Sequence, residues 1–154
     1  MKRLSIFIII FMLLWCGFAA SAQLRAPARV KWSMEVEMLC DTLGEVIVKA
    51  VPSQGWHLYG IELPDGGPVP TTIDFDGSRG VLFTDSLTYD ITPVTVHDTM
   101  FDLDITWWDK PVTFRRKFKI SEPSEASISA KITSMACNDE TCTPPAVTNL
   151  SVQL

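Results

Sequence analysis

Two cysteines five positions apart, Cys137 and Cys142, are the residues whose type and spacing most directly suggest chemistry. They flank the polar turn Asn138-Asp139-Glu140-Thr141 and are followed by Thr143-Pro144-Pro145. On adjacent antiparallel strands, or at the mouth of their turn, such a pair is close enough to bridge. The bridge has two readings. As a structural staple it does little, because a ring of about six residues restrains the unfolded chain by roughly 2 kcal/mol, against about 4.7 for a 100-residue loop. A chain this long buries its own core without so local a staple. As an exchange site it is well placed, since an incoming thiolate must reach a sulfur. Both readings stay open on the residues alone. Asp139 and Glu140 lie between the cysteines. Unless they only face solvent, their charge disfavours thiolate, which suits a reductant that waits for its partner more than a strong oxidant.

Other chemistry-bearing residues are less organised. Cys40 follows Trp32, Met34, Val36 and Met38 on one apolar face, so it is expected to be a buried, reduced and inaccessible thiol. His57 and His97 are isolated and match no compact zinc spacing, so neither a metal nor a cofactor is expected. Asp102 and Asp104 face one way along a strand and read as a solvated face. No nucleophile-elbow, HExxH, P-loop or EF-hand pattern occurs.

The elements that must hold the cysteines have a period of two. Trp32 to Cys40, Val46 to Ala50 and Trp56 to Ile61 alternate as strands, and Pro64-Asp65-Gly66-Gly67-Pro68 is a turn. Phe101, Leu103, Ile105 and Trp107 alternate with polar residues, as do Val112, Phe114, Phe118 and Ile120. Trp108-Asp109-Lys110-Pro111 between these two runs predicts a hairpin. Further strands are expected at 127–135 and 147–154. No window of a dozen residues has helical amphipathicity. Seven or more short strands predict an all-β, antiparallel sandwich. Trp32, Val36, Val48, Leu103, Ile105 and Phe118 are expected in one inter-sheet core.

The chain has 154 residues and a formal charge of −5, with 47% hydrophobic and 20% charged residues, so it is an ordinary globular composition of one domain. Lys2 and Arg3, an apolar run from Ile6 to Trp15 and the small-residue site Ala20-Ser21-Ala22 read as a cleavable signal peptide at 1–22. The run barely reaches spanning length, which argues against a retained anchor. Trp15 before Cys16 is a poor setting for lipidation. Residues 23–29 read as a flexible lead-in to a domain at 30–154. Removing 22 residues and their two basic charges leaves 132 residues and a charge of −7. That balance argues against nucleic acid and anionic membranes, and no second long apolar run predicts insertion after cleavage. Export places the cysteines in an oxidising compartment.

The segment Met135-Ala136-Cys137-Asn138-Asp139-Glu140-Thr141-Cys142-Thr143-Pro144-Pro145 resembles the active-site segment of the N-terminal periplasmic domain of the thiol:disulfide interchange protein DsbD. Gln54-Gly55-Trp56-His57-Leu58-Tyr59 resembles that family's aromatic strand. The resemblance implies an immunoglobulin-like sandwich in the periplasm and a relay of reducing equivalents. A thioredoxin-like domain of a membrane disulfide reductase would supply them, and periplasmic oxidoreductases or client disulfides would receive them. It implies that Cys137 and Cys142 are the redox pair, with Cys142 forming mixed disulfides. Tyr59 matches one active-site tyrosine, and His57 stands where a second would be. Pro144 and Pro145 would border the partner's approach. A cap loop is expected within 81–89, with Phe83 beside Asp85 as its shielding residue. The chain departs from the family in having four rather than five residues between the cysteines. With no membrane or thioredoxin-like segment after Leu154, it is expected to act as a free module with separate partners. The competing expectation is a non-catalytic immunoglobulin-like binding module with a structural disulfide. A third, metal delivery, requires one equivalent of metal on the reduced pair.

Overall fold

The computed structural model describes residues 28–154. The expected signal peptide, Cys16 and most of the lead-in lie outside the described residues. The described chain is an antiparallel β-sandwich, as the alternation predicts, and of immunoglobulin type, as the resemblance implies; its helical content is one 3₁₀ turn at Pro123–Glu125.

One layer is built from β1 (Val30–Met38), β2 (Leu43–Pro52), β9 (Val112–Ile120) and β5 (Val81–Phe83) in that order, with β6 (Thr88–Tyr89) also on β9. β1 and β2 form a hairpin whose register runs from Val30 opposite Pro52 to Met38 opposite Gly44. β9 lies antiparallel beside β2, where Arg115 crosses to Glu45 at 2.8 Å. The opposing layer has two parts. β12 (Ala146–Gln153), β10 (Ser127–Ser134) and β4 (Thr72–Asp74) form one; β11 (Ala136–Cys137), β3 (His57–Tyr59), β8 (Leu103–Trp108) and β7 (Val94–Asp98) form the other. Only Met135 separates β10 from β11, so one stretch of chain joins the two parts.

The main core lies between the layers. Val46, Val48, Val112, Phe114 and Phe118 meet Ile128, Ala130 and Ile132, with Leu58, Trp108 and Ala136 from the β3 sheet. Burying such side chains contributes about 1.5–3 kcal/mol each, and this burial holds the layers together. The core is not single. Trp32, Val36, Val48 and Phe118 belong to it, but Leu103 and Ile105 lie in a second cluster with Tyr59 and Cys137. The reason is that the β3–β8 sheet is apolar on both faces. Leu58, Trp108 and Ala136 point inward, and their neighbours in the period of two point to the other side.

Two further expectations are corrected. β8 and β9 do not form a hairpin. β8 pairs with β3 and β7, whereas β9 pairs with β2, β5 and β6. Trp108-Asp109-Lys110-Pro111 carries the chain from one layer to the other, and Trp108 meets Phe114 edge-on across the core at 5.4 Å. Alternation fixes which face of a strand is apolar, not which neighbour it pairs with. Cys40 is exposed, not buried. β1 ends at Met38, and Leu39 to Thr42 form an exposed hairpin tip, where Leu39 N–H and Cys40 N–H both donate to Leu43 O. The apolar period therefore runs out of core to face. A thiol reagent should label Cys40 rapidly in the native chain, as read by peptide mass mapping, and Cys40→Ala should change stability by no more than about 0.5 kcal/mol.

Candidate functional site: the outer face of the β3 sheet

The second cluster carries the chemistry. Strand alternation sends Leu58 into the main core and leaves His57 and Tyr59 on the outer face of β3. β11 brings Cys137 opposite His57, and β8 brings Trp107 opposite Tyr59. Ile105, Leu103, Val96 and Phe101 complete the apolar bed. The close approach of β3 to β8 depends on Gly60: its N–H donates to Thr106 O at 2.7 Å, and a Cβ there would run into the Thr106 side chain.

Cys137 and Cys142 form a disulfide with Cα atoms 4.0 Å apart. The loop between them closes on itself without the bridge. Asn138 N–H donates to Thr141 O at 3.0 Å, and Thr143 N–H to Ala136 O at 2.8 Å. The Asn138 side-chain oxygen accepts from the N–H groups of Glu140 and Thr141. Asp139 and Glu140 are exposed at its tip. The two sulfurs differ in access: Cys137 is 1% exposed, while Cys142 is partly exposed.

Tyr59 is fully buried beneath the bridge. Its hydroxyl donates toward Cys137 Sγ at 2.9 Å and toward Asp98 Oδ2 at 3.4 Å, and lies 3.9 Å from Cys142 Sγ. Burial, and then the Asp98 charge, push the phenol well above its usual pKa, so it remains a donor at all ordinary pH. Asp98 ends β7 and organises the turn that follows. Its Oδ1 accepts from Met100 N–H at 2.8 Å and Phe101 N–H at 3.2 Å. Phe101 packs edge-on to Tyr59 at 6.3 Å, and Met100 Sδ lies 3.6 Å from Cys142 Sγ. Asp102 closes this turn with a positive φ of 55°.

The remaining expected site residues divide. His57 is brought to the pair; it stacks on Trp107 at 3.8 Å, and its buried Nε2 has no hydrogen-bond partner among the described residues. Pro144 and Pro145 are exposed and line a groove of about 860 Å³ together with Arg29, Trp32, Ala136 and Thr143, beside the cysteine loop. Phe83 is not brought to the disulfide. It packs in the main core against Phe75 at 5.0 Å and Phe118 at 6.4 Å, with the Arg116 guanidinium 4.6 Å over its ring. β5 pairs with β9 in the other layer, which takes the 81–89 segment away from the cysteines. The side chains over the bridge come instead from the β7–β8 turn. Asp98 and Met100 have no sequence reading above, and Phe101 and Trp107 read there only as strand residues. Their signal was the alternation Val94-Thr95-Val96 before Asp98-Thr99-Met100, a strand and turn leading into β8.

The two histidines are shifted in opposite directions. Burial lowers the His57 pKa below 6.5, partly offset by Asp98, Asp139 and Asp109. Hydrogen bonding to Asp104, and next to Asp102, raises that of exposed His97. The fold favours neutral His57, so its contribution to stability is present above 6.5 and lost as pH falls toward its folded pKa. His97 has the opposite sign: its contribution is complete below 6.5 and lost as pH rises through its folded pKa. Imidazole resonances followed by NMR should show one midpoint below 6.5 and one above, assigned by His57→Gln and His97→Gln.

No protein-family model and no curated protein matches the chain. The solved structures similar in fold include two N-terminal domains. The N-terminal periplasmic domain of ScsB from Proteus mirabilis superposes with a TM-score of 0.60 at 14% identity, over 82% of this chain. The chain spans about half of that structure, 47% of its length. The N-terminal domain of Neisseria meningitidis DsbD in the reduced form gives a TM-score of 0.52 at 13% identity, over 78% of this chain and 83% of that one. The chain therefore has the fold of the N-terminal domains of DsbD and ScsB, with a cysteine pair bridged on the outer face of one sheet.

Proposed function

We propose that this chain is a periplasmic thiol–disulfide relay module in which Cys137 and Cys142 alternate between disulfide and dithiol. One observation carries the reading: the bridge joins a buried sulfur that already accepts a tyrosine hydroxyl to a cysteine that is partly exposed. The loop's own backbone bonds weigh against a purely structural bridge, because they close the turn without it. The periplasmic setting rests on the leader read in the sequence and on the two similar structures, both N-terminal domains and one described as periplasmic.

A dithiol partner, the thioredoxin-like domain of a membrane reductase, attacks Cys142 Sγ as a thiolate. The Cys137–Cys142 bond breaks, a mixed disulfide forms, and Cys137 leaves with the electron pair. Tyr59 donates to that departing sulfur, and a hydrogen bond to an ionised acceptor is about twice as strong as one between neutral groups. The partner's second thiol then displaces Cys142. The partner ends as a disulfide and this chain as a dithiol, two electrons and two protons richer. In the forward step Cys142 attacks the disulfide of a periplasmic oxidoreductase or client, and Cys137 resolves the mixed disulfide. Exchange needs one sulfur reachable along the S–S axis and the other held as leaving group and resolver. The difference in exposure between the two supports that division. Met100 and the turn behind it shield Cys142 between encounters. His57, Pro144 and Pro145 border the approach, Tyr59 lies beneath the bridge, and Phe83 supports the other layer.

With the disulfide form of a purified thioredoxin-like domain of a membrane disulfide reductase, Cys137→Ala should accumulate a covalent complex through Cys142, and Cys142→Ala should trap at least about tenfold less, because Cys137 is buried. A reversed pattern would exchange the cysteine roles and leave the relay standing. If neither variant traps a partner and the native disulfide resists reduction, the bridge is structural and the chain is a binding module.

A further inference from the structure

The β7–β8 turn places a second kind of redox-sensitive sulfur on the site. Met100 is 55% exposed, yet its thioether sulfur touches Cys142 Sγ at 3.6 Å. Its neighbour has a different job. Phe101 is partly buried against Tyr59, and both backbone N–H groups are held by Asp98. The turn is thus anchored by Phe101 and Asp98, while the Met100 side chain contributes a cover that can leave without loosening the backbone. Met34 and Met135 are only partly exposed, and exposed Met38 (44%) lies at the β1–β2 hairpin beside Phe118, in the other layer.

We propose that Met100 is an oxidation site that gates access to the disulfide: its conversion to the sulfoxide uncovers Cys142. The chemistry needs a two-electron oxidant of the peroxide class. The Met100 sulfur attacks one peroxide oxygen, the O–O bond breaks, one oxygen stays on sulfur, and the other leaves as water. Sulfur is oxidised by two electrons and peroxide is reduced by two. The product is a polar, chiral group in place of a flexible apolar one. A thioether packs well against other sulfurs and apolar atoms. A sulfoxide oxygen is a strong acceptor and moves toward water, carrying the side chain off Cys142. Thiol attack on a disulfide depends on access to the sulfur, so the cover's departure speeds reduction. An oxidising environment would then open the module to electron input. This inference rests on the Cys137–Cys142 bridge being reducible in the folded chain.

The test uses the full chain with Cys40→Ala, which removes the exposed thiol that peroxide would also attack. After hydrogen peroxide treatment and removal, peptide mass mapping should show one added oxygen at Met100. Reduction by dithiothreitol, followed by alkylation of the new thiols, should then run about three- to tenfold faster than in the untreated chain. Met100→Leu keeps the cover without the oxidisable sulfur and should show no acceleration after peroxide. Met38→Leu should retain the full acceleration. Equal rates before and after oxidation of Met100, or the same acceleration in Met100→Leu, would overturn the gate and leave the relay intact. A bridge that dithiothreitol reduces in neither state of the folded chain would overturn the relay and the gate together.

Discussion

The buried hydroxyl of Tyr59 is the constraint on which the site depends. A phenol taken out of water must find an acceptor, or it costs about 1–3 kcal/mol. Here two acceptors share it, Cys137 Sγ and the Asp98 carboxylate. Through Cys137 it ties β3 to the cysteine loop. Through Asp98 it ties β3 to the β7–β8 turn, because the other Asp98 oxygen holds the backbone of Met100 and Phe101. The hydroxyl, the disulfide and the covering turn are therefore one connected unit. A change in the charge or position of Cys137 is felt at Asp98 through a single proton donor.

That unit can exist because the sheet beneath it is apolar on both faces. Leu58, Trp108 and Ala136 fasten β3, β8 and β11 to the main core, and their neighbours Tyr59, Trp107 and Cys137 are left to form a second, smaller cluster. The main core supplies stability, and the outer cluster is positioned by it. Strands fix the buried sulfur and the tyrosine, while the turn and the cysteine loop are exposed. This is the usual division between scaffold and site, since loops tolerate motion and exposure that a core does not.

How much of this was legible in the sequence follows from how local each feature is. The cysteine pair was legible because its loop is short and polar and its two ends are neighbours in the chain. The strands were legible from alternation, and with them the sandwich. Pairing was not. Phe101 to Trp107 and Val112 to Ile120 read as a hairpin, but Trp108 and Val112 are both buried where the chain changes layers. Asp98 and Met100 come close to the cysteines only once β7 pairs with β8, a long-range pairing that alternation does not encode. Phe83 failed as a shield for a related reason: β5 joins β9, and Arg116 on the apolar face of β9 covers the Phe83 ring. Cys40 failed because a period continued past the end of its strand reports a face that no longer opposes anything.

A relay requires a disulfide that opens and closes while the fold around it persists. The direct measurement equilibrates the native chain across dithiothreitol or glutathione redox buffers. Alkylation and mass analysis count the thiols of Cys137 and Cys142, and far-ultraviolet circular dichroism follows the β-structure. A relay gives a reversible two-electron transition of this pair, the same from either direction, with the β-sheet signal unchanged from end to end. A bridge that yields only as the sheet signal is lost, or only in denaturant, would contradict it.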